Sequence, residues 1–171
     1  MGLFSRLFGK QEESAPSTGG RTEVRRRKPE ESSAGAYLRG DRIILHGYCD
    51  TNIGGLACEP YRTVEAGVSD ADLGAALLGV LEEARTVPVP SDRKAEQEKL
   101  VQGTGVRSWG DLSRGAIHCS VTQTPAEISI LPTAEEDGGF THVPEETVRV
   151  AAASTPEQIG KALRDGFQRC A

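Results

Sequence analysis

Two segments of the chain, 86 positions apart, repeat one pattern. Ser69 opens the first and Thr155 opens the second, and an acid or amide follows three positions later, at Asp72 or Gln158. This spacing is typical of a capping box at a helix N-terminus, where Gln suits the third position better than Asp. Each segment also follows a strand-like run. The chain is therefore predicted to contain two similar strand-to-capped-helix units.

Gly74 and Gly160 occupy matching positions inside the two predicted helices. A glycine in a helix interior costs about 1 kcal/mol relative to alanine, so a shared packing reason is expected. We expect a close approach of each helix either to the sheet or to its counterpart helix.

The remaining patterns predict the fold class. Strand-like runs, including a hairpin over residues 116–131, alternate with helical segments. We therefore expect an α+β domain with a mostly antiparallel sheet and helices packed on it. The single domain is predicted to span residues 36–171. Residues 1–35 are predicted to be a disordered tail, because they hold too little apolar surface to offset the entropy of ordering.

The tail contains two short motifs. The basic run at residues 25–28 is flanked by glutamates and lacks aromatic neighbours, so direct nucleic-acid binding is not expected. Residues 3–8 have apolar side chains at helical spacing, which suggests either an amphipathic contact with a membrane or a frayed terminus. The second alternative is favoured, since so short a helix is marginal in water.

The formal charge is divided unevenly along the chain. Residues 1–35 carry seven Lys/Arg and five Asp/Glu, whereas the remainder carries 13 and 20. An acidic domain repels nucleic acid and favours a basic partner, although acidity also serves solubility alone.

The four cysteines are scattered without a Cys-x-x-Cys pair, which predicts reduced thiols rather than a disulfide framework. No apolar run approaches the ~20 residues that span a bilayer, and a signal peptide is not recognisable. These features together predict a cytoplasmic protein.

A thiol enzyme is one alternative reading of the chain. Its nucleophile would be Cys58 or Cys119, and its base His46 or His142. The adjacent His118 cannot serve Cys119, because neighbouring residues of a strand point to opposite faces. Nothing local supports such a site. We expect no catalytic residues, so the enzyme remains the second hypothesis, as a small cytosolic Cys/His hydrolase.

A metal site from His46, Cys49 and Cys58 lacks the ligand spacing of zinc sites. We therefore expect neither a metal nor a cofactor.

Two acidic clusters near the end of the chain are the candidate contact surface. They flank an aromatic residue and lie in a predicted loop over residues 134–139 and just beyond it. Charge steers a basic partner, and an aromatic residue can anchor it. The predicted partner-binding residues are Glu135, Glu136, Asp137, Phe140, Glu145 and Glu146. Phe140 either anchors the loop internally or touches the partner.

An ordered set of residues resembles a bacterial family. The set consists of Pro60-Tyr61, Ser69-Asp70 with Leu73-Gly74, Ser108-Trp109, Ala116, Cys119-Ser120-Val121, Ile128 to Ile130 with Pro132-Thr133, Phe140, the pattern Ile159-Gly160-x-Ala162-Leu163, and Arg169-Cys170. Over about residues 40–171 the chain resembles the immunity proteins of contact-dependent growth inhibition systems. The tail departs from the family pattern.

The resemblance implies a cytoplasmic, non-enzymatic toxin inhibitor. Such proteins bind the toxic C-terminal domain of a large secreted effector and protect the producing cell. The toxins are often nucleases, and a nuclease cleft is basic because it binds polyphosphate. An acidic inhibitor suits such a partner. The family has no shared catalytic residues to transfer. The resemblance implies that its patterned residues are structural, namely Gly74, Trp109, Phe140, Gly160 and Leu163. A general protein-interaction domain tethered by its N-terminus is a further alternative.

Overall fold

The computed structural model describes residues 30–51, 54–136 and 139–170. The strands found in these ranges are β1 (Ser32–Arg39), β2 (Arg42–Thr51), β3 (Gly54–Glu65), β4 (Ile117–Gln123), β5 (Glu127–Glu136), β6 (Gly139–His142) and β7 (Val148–Ala151). The helices are α1 (Asp70–Ala84), α2 (Arg93–Thr104), α3 (Trp109–Ser113) and α4 (Pro156–Gln168).

The strands form one antiparallel sheet in the order β3-β2-β1-β4-β5-β6. β5 is long enough to have two partners on its outer side. Its first half pairs with β7, and its second half pairs with β6. The predicted α+β class with a mostly antiparallel sheet is confirmed, as are the two strand-to-helix units, β3 to α1 and β7 to α4.

The main core lies between one face of the sheet and helices α1 and α4. In α1 the buried positions follow helical spacing, as an amphipathic helix on a sheet requires. They are Leu73, Gly74, Leu77, Val80, Leu81 and Ala84. In α4, Leu163 is fully buried beside Ile159 and Phe167.

Side-chain caps begin both helices where the repeated pattern predicts them. The hydroxyl of Ser69 accepts a hydrogen bond from the backbone N–H of Asp72, and that of Thr155 accepts one from Gln158. The amide oxygen of Gln158 also accepts from the backbone N–H of Thr155 at 2.9 Å, completing the capping box. Each cap pairs a donor that a helix N-terminus otherwise leaves without a partner.

The matched glycines lie where α1 and α4 touch. The backbone N of Gly160 would lie 2.9 Å from a Cβ built on Gly74, and the reciprocal distance is also 2.9 Å. Of the two expected reasons for the glycines, the structure therefore shows contact between the helices. Arg164 ties the same helices together, because its guanidinium pairs with Asp70 at 2.7 Å and donates to the carbonyl of Ala66 at 2.7 Å.

The opposite face of the sheet carries a second, smaller core. Tyr37 and Ile44 pack there against side chains from α2, α3 and the segments that follow them, namely Leu100, Val106, Leu112 and Ala116. Trp109 begins α3; its predicted packing role concerns a side chain outside the described part of the structure.

The first strand corrects the boundary of the tail. The predicted tail includes residues 32–35, but these residues form the first half of β1, which pairs with both β2 and β4. Ser32 and Ala34 are fully buried there. The small residues of this stretch carry little strand signal by themselves, so their strand conformation depends on the two neighbouring strands. Residues 1–29, and with them the basic run and residues 3–8, lie outside the described residues.

The prediction of unpaired cysteines was wrong for two of the four. Cys49 and Cys58 form a disulfide between β2 and β3, with their Cα atoms 6.0 Å apart. The pair is nine residues apart in sequence, and the antiparallel hairpin folds the two strands back onto each other. Spacing along the chain does not reveal such a pair, because the register of the strands determines which residues face each other.

Candidate functional site

The first acidic cluster lies on strands, so the predicted loop over residues 134–139 was wrong. Residues 134–136 end β5, and Gly139 begins β6. The register places Glu135 opposite Phe140 and Glu136 opposite Gly139. We name residues 133–136 and 139–142 the acidic hairpin. Consecutive glutamates and glycines have low strand propensity, so the local sequence does not predict this hairpin. Asp137 lies outside the described residues.

The second acidic cluster is separate from the first. Glu145 and Glu146 lie in a 3-10 turn at Pro144–Glu146, beyond the far end of β6. A strand rises about 3.3 Å per residue, so the four residues of β6 hold the two clusters about 13 Å apart. The Glu146 carboxylate lies 3.7 Å from the guanidinium of Arg169, which offsets part of its charge.

The carboxylates of the acidic hairpin, Glu135 and Glu136, are exposed. The hydroxyl of Thr141 donates to Glu136 at 2.7 Å. Within the described ranges no basic side chain forms an ion pair with Glu135 or Glu136. This pair is therefore the more strongly negative of the two clusters.

Phe140 anchors the acidic hairpin to the second core. Its ring centroid lies 5.0 Å from that of His118 and 5.7 Å from that of Tyr37, the latter in an edge-to-face arrangement. The side chain remains partly exposed. Of the two expected roles for Phe140, internal anchoring is directly visible. Contact with a partner stays a prediction that concerns its exposed edge.

A cleft of about 320 Å³ opens beside the acidic hairpin, and we name it the hairpin cleft. Its walls are residues 115–118, Thr133, Glu135, Phe140 and Cys170. Ile117 is 39% exposed, which makes it one of the exposed large apolar side chains of the described chain. An apolar and aromatic wall with a carboxylate at the rim suits a side chain that has an apolar stem and a cationic end.

The sequence predicts only part of this cleft. Its acidic and aromatic residues indicate Glu135 and Phe140. The pattern does not indicate Ile117, which begins β4, or Cys170, which lies just after α4. The alternating pattern of β4 was visible, yet it places Ile117 on the same side as buried Cys119 and Val121. Ile117 is exposed because it is the first residue of its strand.

Buried histidines lie behind the cleft. Burial lowers the pKa of His118 to about 3, and the nearby His46 and His142 lower it further. Burial also lowers the pKa of His46 to about 4, against the opposing effect of its hydrogen bond to the Gly47 carbonyl. Both rings are therefore neutral near pH 7 and act as aromatic packing groups.

The thiols considered as nucleophiles are unsuited to that role. Cys58 is bonded to Cys49. Cys119 is fully buried, and its pKa is raised by a hydrogen bond with Cys170 and by burial. A cysteine that attacks an external substrate needs an accessible thiolate, so neither residue fits the hydrolase alternative.

A second cavity of about 260 Å³ lies between α2 and the β2–β3 hairpin. Its wall includes Glu96, which is 3% exposed. The carboxylate accepts from the Tyr61 hydroxyl at 2.8 Å and the Glu59 backbone N–H at 3.2 Å, and Lys99 lies 3.4 Å away. These contacts give the buried Glu96 carboxylate its hydrogen-bond and ion-pair partners. Glu96 is therefore a structural group that joins α2 to β3.

The described residues lack two further features. They contain no group of three or more His, Cys, Asp or Glu side chains placed to hold a metal ion. No helix in the described part is long and apolar enough to cross a membrane.

The comparisons with known proteins identify the family. The family model described as CdiI, the CDI immunity protein, matches residues 58–170. The chain therefore belongs to the CDI immunity protein family. No curated protein sequence matches it.

Two solved structures have the same fold. One is a protein of unknown function from Neisseria meningitidis, with a TM-score of 0.66 and 15% identity, covering 85% of this chain and 98% of that one. The other is a CdiA-CT/CdiI toxin and immunity complex from Yersinia pseudotuberculosis, with a TM-score of 0.64 and 20% identity, covering 82% of this chain and 98% of the other.

Proposed function

We propose that this chain is an immunity protein that binds and neutralises a cognate toxin domain of a contact-dependent growth inhibition system. The observation that carries the proposal is the family match over residues 58–170. The Yersinia structure of the same fold is, by its title, a complex of a toxin with its immunity protein. The toxin domain is the C-terminal part of a large effector, and the immunity protein acts on it in the cytoplasm.

The acidic hairpin and the hairpin cleft form the proposed contact surface. Glu135 and Glu136 supply exposed negative charge, and Ile117 and the edge of Phe140 supply apolar surface beside them. An interface of this kind uses its charges to speed association and its apolar anchors to hold the complex. The cluster at Glu145 and Glu146 extends the negative surface on the other side of β6.

The proposed toxin is a nuclease. Its substrate is a polyanion, so its binding cleft carries basic residues. The part of this chain from residue 36 onward carries 20 acidic and 13 basic residues, which complements such a cleft. The positive potential of a nuclease and the negative potential of the inhibitor raise the rate at which the two meet. Mismatched charge and shape then discriminate against the toxins of other systems.

Neutralisation by this chain needs no catalysis and no cofactor. Blocking a toxin requires only a complex that dissociates slowly compared with the time the toxin needs to act. The fully buried Cys119, the Cys49–Cys58 disulfide and the neutral buried histidines support this non-enzymatic mechanism.

Co-expression tests the proposal. The partner is the C-terminal toxin domain of the large effector gene that the proposal expects beside the gene for this chain. Expression of that domain alone should stop growth, and co-expression of this chain should restore it. A catalytically inactive toxin domain should copurify with this chain and bind it with nanomolar affinity, whereas a toxin domain from another system should not. Growth arrest despite equal expression, together with no binding to the inactive domain, would rule out the proposal.

A further inference from the structure

The two free cysteines lie in contact with each other. Cys119, in the middle of β4, and Cys170, just after α4, have their Sγ atoms 3.6 Å apart, although 51 positions separate them. Cys119 is fully buried, whereas Cys170 is partly exposed and lines the hairpin cleft. One residue of the pair is therefore in contact with solvent, and the other is buried against it.

The surroundings of Cys170 favour its thiolate. The Cys119 thiol, as hydrogen-bond donor, lowers the pKa of Cys170 to about 7 against the opposing effect of burial. The pKa of Cys119 is raised by the same hydrogen bond and by burial. When Cys170 is protonated, its thiol donates to the carbonyl oxygens of His118 at 3.2 Å and Gly166 at 3.4 Å. A thiolate fraction near neutral pH, combined with access through a cleft, characterises reactive cysteines. The other titratable side chains of the cleft are His118 and Glu135.

We propose that Cys170 is a peroxide-reactive thiol and that Cys119 is its resolving partner, so that oxidation joins them in a disulfide. The Cys170 sulfur attacks one oxygen of hydrogen peroxide, the O–O bond breaks, and the departing hydroxide takes up a proton as water. Cys170 is then a sulfenic acid. The Cys119 sulfur attacks the Cys170 sulfur, the S–O bond breaks, and the hydroxyl leaves as water with the Cys119 proton. Two thiols and one peroxide thus give one disulfide and two waters.

The geometry allows the second step with a small movement. The sulfurs must close from 3.6 Å to the S–S bond length of about 2.05 Å. Cys170 lies two residues beyond the last helical residue, Gln168, and its backbone N–H donates a long hydrogen bond to the carbonyl of Phe167 at 3.4 Å. Gly166 faces Cys119 from α4, and no side chain of that residue stands between the helix end and β4.

Peptide mapping of the purified full chain tests this site. Before oxidation, the denatured and unreduced protein should contain two alkylatable thiols, since Cys49 and Cys58 are already bonded. Treatment with dilute hydrogen peroxide should remove both thiols and produce a Cys119–Cys170 cross-linked peptide within one chain. In Cys119→Ala the reaction should stop at a sulfenic acid on Cys170 that dimedone traps. In Cys170→Ser the oxidation of Cys119 should slow by about tenfold or more, because burial shields it.

Three results would overturn the proposal. The first is a wild-type chain that keeps both thiols under peroxide while an exposed model thiol is consumed. The second is dimedone-trapped Cys170 in the wild-type chain without the cross-link. The third is Cys119 oxidation at the wild-type rate in Cys170→Ser. Circular dichroism of each variant verifies that it is folded before its chemistry is compared, and Cys170→Ala replaces Cys170→Ser if the hydroxyl disturbs the fold.

Discussion

Gly74 and Gly160 each lie against the helix that carries the other. A Cβ on Gly74 would be 1.8 Å from the carbonyl oxygen of Pro156, four residues before Gly160. A Cβ on Gly160 would be 1.9 Å from the carbonyl oxygen of Asp70, four residues before Gly74. The contact is thus reciprocal, and the two halves of the repeated sequence pattern meet at equivalent positions.

Alanine at Gly74 or Gly160 should therefore destabilise the domain, even though alanine favours helices. The new methyl group meets backbone atoms, so α1 and α4 must separate, at a cost of about 3 kcal/mol. Gly79→Ala is a matched control on α1, because its Cβ would meet only the flexible end of Arg62. That variant should be neutral or more stable by up to about 1 kcal/mol. Urea unfolding measures the free energy of unfolding of all three variants. Equal stability of Gly74→Ala and Gly79→Ala would contradict the packing argument.

Reversal of the two hairpin charges, in Glu135→Lys/Glu136→Lys, should slow association with the toxin by about tenfold at low salt. The melting temperature should change little, because both side chains are exposed. A control of equal net charge is Glu98→Lys/Glu157→Lys, which alters exposed residues on α2 and α4. Stopped-flow kinetics compares the variants. Equal slowing by both would attribute the effect to net charge alone and remove the hairpin as the contact surface.

The same reversal at Glu145 and Glu146 measures the contribution of the second acidic cluster in the same assay. We expect a smaller effect there, because Arg169 already offsets part of the charge of Glu146.

Phe140→Ala should lower the free energy of unfolding by about 2 kcal/mol, because the ring packs on Tyr37 and His118. Phe140→Leu keeps most of the apolar volume and should recover much of that loss. Calorimetric toxin binding by the leucine variant then separates the two roles of this residue. Near-wild-type affinity indicates an internal anchor, whereas a tenfold loss in a stable protein indicates that the aromatic edge touches the toxin.

The buried histidines predict a loss of stability in mild acid. Their folded pKa values of about 4 for His46 and about 3 for His118 lie below the unfolded value near 6.5. Their contribution to the free energy of unfolding is thus fully present above pH 6.5. It is lost as the pH falls toward 4, because the histidines of the unfolded chain bind protons at a higher pH than those of the folded chain. Between pH 7.5 and 5 each histidine should contribute a loss of about 2 kcal/mol.

Urea unfolding at the two pH values checks this expectation. His118→Gln should show about half the wild-type pH dependence, because only the contribution of His46 then remains. An unchanged pH dependence in His118→Gln would assign the acid sensitivity to other groups.

Local patterns in the sequence predicted much of the fold. The caps at Ser69 and Thr155 mark the starts of α1 and α4 correctly, because a helix N-terminus depends on hydrogen bonds within a few residues. The apolar spacing of both helices predicted their buried faces for a similar reason, since helical periodicity is a local property.

Prediction failed where the conformation depends on distant residues. β1 is a strand because β2 and β4 enclose it, and its small residues carry little strand signal alone. The acidic hairpin was expected to be a loop for the same reason. Glu135 and Phe140 were identified as candidates, but the cleft that joins them to Ile117 and Cys170 is assembled from β4, β5, β6 and the end of α4.

The sequence by itself determined the two capped helices, the class of the fold and the acidic character of the domain, because each follows from composition or short-range pattern. Only the tertiary structure decided which cysteines are bonded, why the two glycines are present, and which charges remain unpaired. Those outcomes depend on strand register and on helix contact across 86 positions of chain, which bring together atoms that no local pattern relates.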